Sequence, residues 1–521
     1  MKDKKIFNQP AMWWVRAAIM AVLPLLCCVA YCALQGKTLL EVYLPASEWN
    51  DELFYYKQVE AILENGYPYG YFGFNESHAD WLSFAAWSPV LVIPWVIWGA
   101  IFGWNLMSPI WCNLFLMGAA IAAFVLLTRP NKKQMGMLAV LYCVFPMFTR
   151  YILSGMPEII CFFTVILFFG VAVNYLRFGS SNAKLVWMFL FSMGMTLMRP
   201  YMLLLMLLPG ILWIKKSGKW WSVAGTLGLM AVTFGGYAII NGKLGAEYLE
   251  PLFSLEWLTV MLEEGFFEGI KFVVYMIADK GIQFLRMSVE ALRSGYADGI
   301  YFLVFLVAYI LLIVHFIQSL KGKKKTEALL FGHVVFCFTG MLGAMLLMYL
   351  LHDGKRHLMT FVVIAIFLLS IAEWKQYVKV AILGVLCIYL YGIKADSPMD
   401  YKVPFASEEK IEWMQYWTDA FGTEMEICYE NVPNYESAVI WVLADNKPGE
   451  QVVLTDWQAL YAIPKGMGIN CCQSQYVKDN IDALKCRYLT TLSGGTVDIM
   501  CQGRGFEEIG RKDTVVAYRV H

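Results

Sequence analysis

Charge is scarce in this 521-residue sequence: only 16% of its residues are Asp, Glu, Lys or Arg, and acids and bases balance to zero. That scarcity excludes a string of water-soluble domains, and the balance removes any global attraction to nucleic acid. Also missing are a Walker loop, a Gly-rich dinucleotide fingerprint and any short-period repeat, so nucleotide binding has no support. Cysteine is present at 13 positions but is poorly arranged for zinc or a full set of bridges. Eight (Cys27, Cys28, Cys32, Cys112, Cys143, Cys161, Cys337 and Cys387) fall in apolar runs, where a thiol acts as a small hydrophobe. The other five (Cys428, Cys471, Cys472, Cys486 and Cys501) are irregularly spaced. They leave room for one or two bridges and match no zinc pattern.

What the chain has is hydrophobicity, at 59% of residues and a mean hydropathy of +0.54. A membrane-crossing helix needs about 20 mainly apolar residues. About eleven such runs occur, starting near residues 12, 106, 135, 158, 183, 200, 220, 299, 327, 358 and 376. Lysines precede the first run as in a signal peptide, but the run is long and lacks a small-residue cleavage site, so it reads as a retained helix. With the N-terminus cytoplasmic, every dense basic cluster falls inside: Lys2/Lys4/Lys5, Arg129/Lys132/Lys133, Arg177/Lys184, Lys215/Lys216/Lys219, Lys321/Lys323/Lys324/Lys325 and Lys375/Lys379. This arrangement requires that the stretch from Phe84 to Gly103, broken by Pro89 and Pro94 and rich in tryptophan, lies along the interface without crossing.

The expected fold is therefore a multi-pass α-helical membrane protein of the plasma membrane, spanning residues 1–394, with large outer loops at about 36–105 and 242–298. The run from Phe266 to Ile277 is too short to cross, so the second loop is expected to hold amphipathic helices. From about residue 395 the composition turns polar. Helical patterns at 407–421 and 434–446, with strand-like runs at 452–455, 487–491 and 515–520, predict a small extracytoplasmic α/β domain over 395–521.

Soon after the first helix the chain reads Ser47-Glu48-Trp49-Asn50-Asp51-Glu52-Leu53-Phe54-Tyr55-Tyr56, two acids at the membrane surface. Leu53, Tyr56, Val59 and Leu63 mark one face of a short helix. Asn50 or Asp51 is placed to cap it, and both carboxylates would lie near its N-terminal dipole. Capping and catalysis are both open to these residues. Ala61-Ile62-Leu63-Glu64-Asn65-Gly66-Tyr67-Pro68, Ser88-Pro89-Val90-Leu91 and Trp98-Gly99-Ala100-Ile101-Phe102-Gly103 then follow in order.

In that order and spacing the chain resembles the GT-C superfamily of integral-membrane glycosyltransferases, which includes protein mannosyltransferases, aminoarabinose transferases and oligosaccharyltransferase catalytic subunits. The similarity is strongest over residues 10 to 215. It implies an acid of the first outer loop as the catalytic residue, by position Asp51 as base with Glu52 assisting. It also implies a sugar donor carried on a polyprenyl phosphate. Such a donor has a good leaving group, so one carboxylate suffices to take the acceptor proton, with inversion at the anomeric carbon. The acceptor class is an envelope glycan, a lipid or a protein, alongside contact with membrane lipids and none with nucleic acid.

Charge developing on the leaving phosphate needs a cation, either basic side chains or a divalent metal. The loop His352-Asp353-Gly354-Lys355-Arg356-His357 offers Lys355, Arg356 and His357, which headgroup contact would explain equally. Arg150 and Glu158 follow the third helix, where the resemblance implies an aromatic-rich stretch ending in an acid. Arg199, before Pro200, should be interfacial or paired. The residues before Pro89 are Trp87 and Ser88, where many relatives carry a charge or histidine. Glu76, His78 and Asp80 could replace that helper or hold a metal with Asp51; no other cofactor is implied. The alternative is a transporter or flippase for a lipid-linked sugar or envelope polymer. Such proteins tend to place ionisable groups near the bilayer midplane, whereas these candidates sit at helix ends.

Overall fold

The computed structural model describes residues 10–67, 72–77, 88–245, 255–294, 297–348, 351–372, 376–392, 403–428 and 435–521. Helices dominate up to residue 392, and a small mixed sheet dominates after residue 435. By length and composition, six described helices suit a membrane crossing: Met12–Leu34, Ser108–Thr128, Glu158–Phe178, Trp221–Leu244, Gly299–Lys321 and Lys325–Leu347. Lys132–Val144 and Pro146–Ile152 would make a seventh as one span bent by 63°.

The expected count of about eleven is therefore not reached among the described residues. The runs near 183, 358 and 376 form helices of 17, 14 and 17 residues, Asn182–Met198, Leu358–Ile371 and Gln376–Gly392. The run near 200 starts as a 3-10 helix, Pro200–Met206, before continuing as Leu207–Ser217. Proline is the cause at two of the breaks. It pushes the preceding residue out of the helical region, and both Phe145 before Pro146 and Arg199 before Pro200 are extended. Leu358–Ile371 is buried along its whole length and forms the centre of the bundle.

The Pro89/Pro94 stretch gives a 3-10 turn and a 10-residue helix, Ile93–Phe102, about 15 Å long and too short to cross alone. The run starting at Phe266 belongs to a single amphipathic helix of 29 residues, Phe266–Ser294, longer than its apolar pattern indicates.

The C-terminal sheet comprises β1 (Phe72–Phe74), β2 (Ala438–Val442), β5 (Gly468–Cys472), β6 (Tyr488–Leu492), β7 (Glu507–Lys512) and β8 (Val515–Arg519); β3 (Ala444–Asp445) and β4 (Val453–Leu454) make a separate small ladder. The main order is β1-β5-β2-β6-β8-β7, parallel from β1 to β6 and antiparallel beyond. The helical pattern expected at 434–446 is in fact β2. Its five residues are all buried, and a short apolar run covered on both faces has no period to separate strand from helix.

β1 comes from the first loop, more than 360 residues upstream in the chain, and pairs Phe72–Phe74 with Ile469–Cys471. The same loop is tied down again by Tyr43 N–H to Pro404 O at 2.8 Å and by the Gln458 amide donating to Ser47 O at 2.6 Å. Among the described residues no disulfide joins the five tail cysteines, four of which are buried.

Candidate active site

The helix Asn50–Asn65 lies between the membrane bundle and the C-terminal sheet, and every residue from Glu52 to Ala61 is buried. An apolar stripe would account for one face only. The polar face is covered because Lys57 reaches Glu60 at 2.6 Å and the Ile463 carbonyl at 3.0 Å, across to the sheet domain. Phe54 packs on Trp441, and Tyr56 on Tyr461, with ring centroids 6.0 and 5.5 Å apart. Trp441, Trp457 and Tyr461 are all buried, so they form packing and not an open face for sugar. No side chain caps this helix, whose N-cap position is Trp49. Asp51 therefore does not spend its charge as a cap.

It spends it on an arginine. Asp51 Oδ2 forms an ion pair with the Arg356 guanidinium at 2.8 Å, and both side chains keep partial access to solvent. Arg356 Nε also faces Glu158 Oε1 at 3.8 Å, and Glu158 in turn takes Arg199 at 3.3 Å. Burial penalises the charge on Arg356, but Asp51 and Glu158 outweigh that penalty and hold the group cationic. Each member arrives from a different segment: Asp51 from the first loop, Glu158 from the head of the Glu158–Phe178 helix, Arg199 from the proline break, Arg356 from the 3-10 turn Lys355–His357.

Glu52 faces the other way. It is fully buried, neither oxygen closes a hydrogen bond, and its nearest cation is Arg150 at 4.0 Å. Burial pushes its carboxyl up to about 7, against weaker downward pulls from Arg150, Ser47 and the Gly155 backbone. Gly155 packs so closely that an added Cβ would stand 3.1 Å from Glu52 Cβ. Arg150 lies 4.0 Å above the Trp49 ring, which stacks on Tyr151 at 5.8 Å. The bend at Pro146 delivers Arg150 to this position, because it ends the Lys132–Val144 helix and starts a new seven-residue one in another direction.

Asp51, Glu158, Arg199 and Arg356 thus form one connected cluster, and Glu52 with Arg150 lies beside it. Lys355 is half-buried next to Arg356. His357 is buried edge-on to Tyr201, and burial together with Arg199 and Arg356 holds its imidazole well below the usual range. That favours the neutral imidazole over the cation. Glu76 is not part of the cluster. Its carboxylate accepts the backbone N–H groups of Lys485 and Cys486 at 2.6 and 2.7 Å and the Tyr476 hydroxyl at 3.0 Å. His78 and Asp80 lie outside the described residues, among which no group of three His, Cys, Asp or Glu could hold a metal.

Sequence reasoning missed Tyr55. It is fully buried, its hydroxyl makes no hydrogen bond, and burial raises its phenol amid the charges of Arg199, Asp51, Arg356 and Glu158. The available signal was spacing: Tyr55 follows Asp51 by four residues, one helical turn, and so shares its face.

No family model and no curated protein matches this chain. Solved structures do. The oligosaccharyltransferase of Archaeoglobus fulgidus with zinc and sulfate gives a TM-score of 0.48 at 12% identity over 92% of this chain and 68% of that one. Its apo form gives 0.49 at 12% over 93% and 70%. The same organism's AglB, bound to an inhibitory peptide and a dolichol-phosphate, gives 0.46 at 11% over 92% and 69%. Likenesses this distant assign no chemistry, which rests on the side chains of this chain.

Proposed function

We propose that this protein is a GT-C-type glycosyltransferase that moves a sugar from a polyprenyl-phosphate donor to an acceptor hydroxyl at the extracytoplasmic membrane surface. The observation that carries the reading is the meeting of Asp51, Glu158, Arg199 and Arg356, four residues from four separate segments, at the head of a membrane helix. Buried charge is expensive, and fully apolar packing is often as stable or more so. Asp51 and Arg356 stay partly open, and the buried pairs beside them are as long as 3.8–4.0 Å, which suits a site where an ionic substrate completes the network.

In the proposed step the acceptor oxygen attacks the anomeric carbon and gives its proton to Asp51. The bond from that carbon to the phosphate oxygen breaks, and its electron pair leaves on the phosphate, held by Arg356 and Lys355. A single-step displacement inverts the anomeric centre. Glu52, with a carboxyl near neutrality, assists by orienting the acceptor or sharing its proton. Glu158 and Arg199 position Arg356. On this reading the pairing of Asp51 with Arg356 is the resting state. The donor phosphate replaces Asp51 as the arginine's partner and releases the carboxylate as a base.

The test is transfer of labelled sugar from a polyprenyl-phosphate donor to acceptor by the purified protein in nanodiscs. Asp51→Asn, with donor binding retained, is expected to lose about 10²–10⁴-fold in kcat, the usual worth of a positioned base. Full activity in that variant would remove Asp51 from the role.

A further inference from the structure

The far end of the same helix carries a second ionic centre, which the transfer step does not use. Glu158 heads the Glu158–Phe178 helix and Arg177 lies in its last turn. Nineteen residue steps of about 1.5 Å each separate them by roughly 29 Å, close to the thickness of the hydrocarbon core. Around Arg177 is a cavity of about 800 Å³ lined by Thr128, Arg129, Asn131, Gln134, Leu176, Arg177, Phe178, Lys324, Lys325, Thr326 and Glu327. Four cations face one carboxylate.

That carboxylate is already engaged. Glu327 lies 3.7 Å from His315, 3.8 Å from Lys324 and 3.9 Å from Arg177, and its oxygens are buried without a hydrogen bond. Arg177 also donates to the Ile371 carbonyl at 3.3 Å. Arg129 and Lys325, by contrast, form no salt bridge among the described residues and are exposed. Arg129 is held over the Phe178 ring at 5.0 Å by a left-handed backbone (φ 48°). The Lys325–Leu347 helix starts at the same cavity with no side chain capping it, so its first-turn N–H groups point there with the positive end of the helix dipole. Leu176 and Phe178 supply an apolar flank.

We propose that this cavity binds a phosphate-bearing anion on the membrane face opposite the transfer site. Basic pockets between membrane helices take anionic lipid headgroups in this way. The volume suits a headgroup-sized ligand, and the aromatic and aliphatic flank suits the start of an acyl chain. A lipid phosphodiester and a soluble phosphate share this chemistry and differ in whether the flank matters.

Native mass spectrometry of the full-length protein tests the proposal, with phosphatidylglycerol, phosphatidylcholine and inorganic phosphate offered separately. Arg129→Gln combined with Lys325→Gln is expected to weaken retention of the bound anion about tenfold or more, from two lost headgroup contacts. Lys325→Arg, which keeps the charge, should leave retention close to that of the unaltered protein. Phosphatidylglycerol retained over phosphatidylcholine, with weak inorganic phosphate binding, identifies a lipid site. Inorganic phosphate bound as tightly as the lipid identifies a soluble ligand. Equal retention of phosphatidylglycerol and phosphatidylcholine, or retention unchanged in the double variant, overturns the site. Unaltered melting of both variants without ligand separates lost binding from lost folding.

Discussion

The two ends of the Glu158–Phe178 helix each hold buried acids among cations, yet they are built differently. At the head, the three acids Asp51, Glu52 and Glu158 meet three arginines, Arg150, Arg199 and Arg356, with Lys355 beside them. The sheet domain packs over the helix that carries Asp51 and Glu52, through Lys57, Trp441 and Tyr461. At the tail, cations outnumber the single acid around an open cavity. Balanced, half-made pairs can exchange partners during a reaction. A standing excess of positive charge, with no acid placed to take a proton, suits holding an anion. This contrast is why chemistry is assigned to the head and binding to the tail.

The largest effect should come from breaking the head's buried pair. Arg199→Ala leaves Glu158 buried beside one distant arginine, and losing one partner of such a pair costs about 3–5 kcal/mol. A melting temperature unchanged by that substitution would make the pair dispensable.

Next is a pH dependence confined to the head. Glu52 has its folded carboxyl raised to about 7 from an ordinary 4.5, so between those values the folded state binds the extra proton. Stability is then fully present below pH 4.5 and lost as pH rises through 7, by at most about 3–4 kcal/mol. Glu52→Gln should flatten the profile of melting temperature between pH 5 and 8, whereas Glu327→Gln at the tail should leave that window in place.

Arg356→Gln should raise the KM for donor by about 10–100-fold, the range for a charge-assisted phosphate contact, with little loss of fold because both it and Asp51 are partly exposed. A KM that does not move would detach the arginine from the donor. The smallest effect belongs to the tail: Lys325→Gln is exposed and should shift stability by under about 0.5 kcal/mol.

Members of the charged cluster could be picked out in the sequence as candidates, and what could not be read shares one cause. Asp51 and Glu52 stand out because adjacent acids directly follow an apolar helix, and Arg199 and Glu158 because charge beside a membrane run must be paired. Their partners could not be read, because which arginine meets which acid depends on packing between segments 41 to 305 residues apart. β1 failed to appear for the same reason: a three-residue strand has no period, and only its pairing with β5 makes it one. The apolar runs near 135 and 200 are broken at proline, since hydropathy sums over a break that the backbone at Phe145 and Arg199 does not ignore. Tyr55 and the preference of His357 for its neutral form depend on burial, which hydropathy assigns to whole segments and not to single side chains.

The central claim is that Arg356 changes partners when donor binds. The most direct measurement is a structure of the protein with a polyprenyl phosphate bound. The account predicts phosphate oxygens within hydrogen-bond distance of Arg356, and Asp51, now 2.8 Å from that guanidinium, released toward the acceptor side. A phosphate bound elsewhere, with the pairing of Asp51 and Arg356 intact, would contradict it.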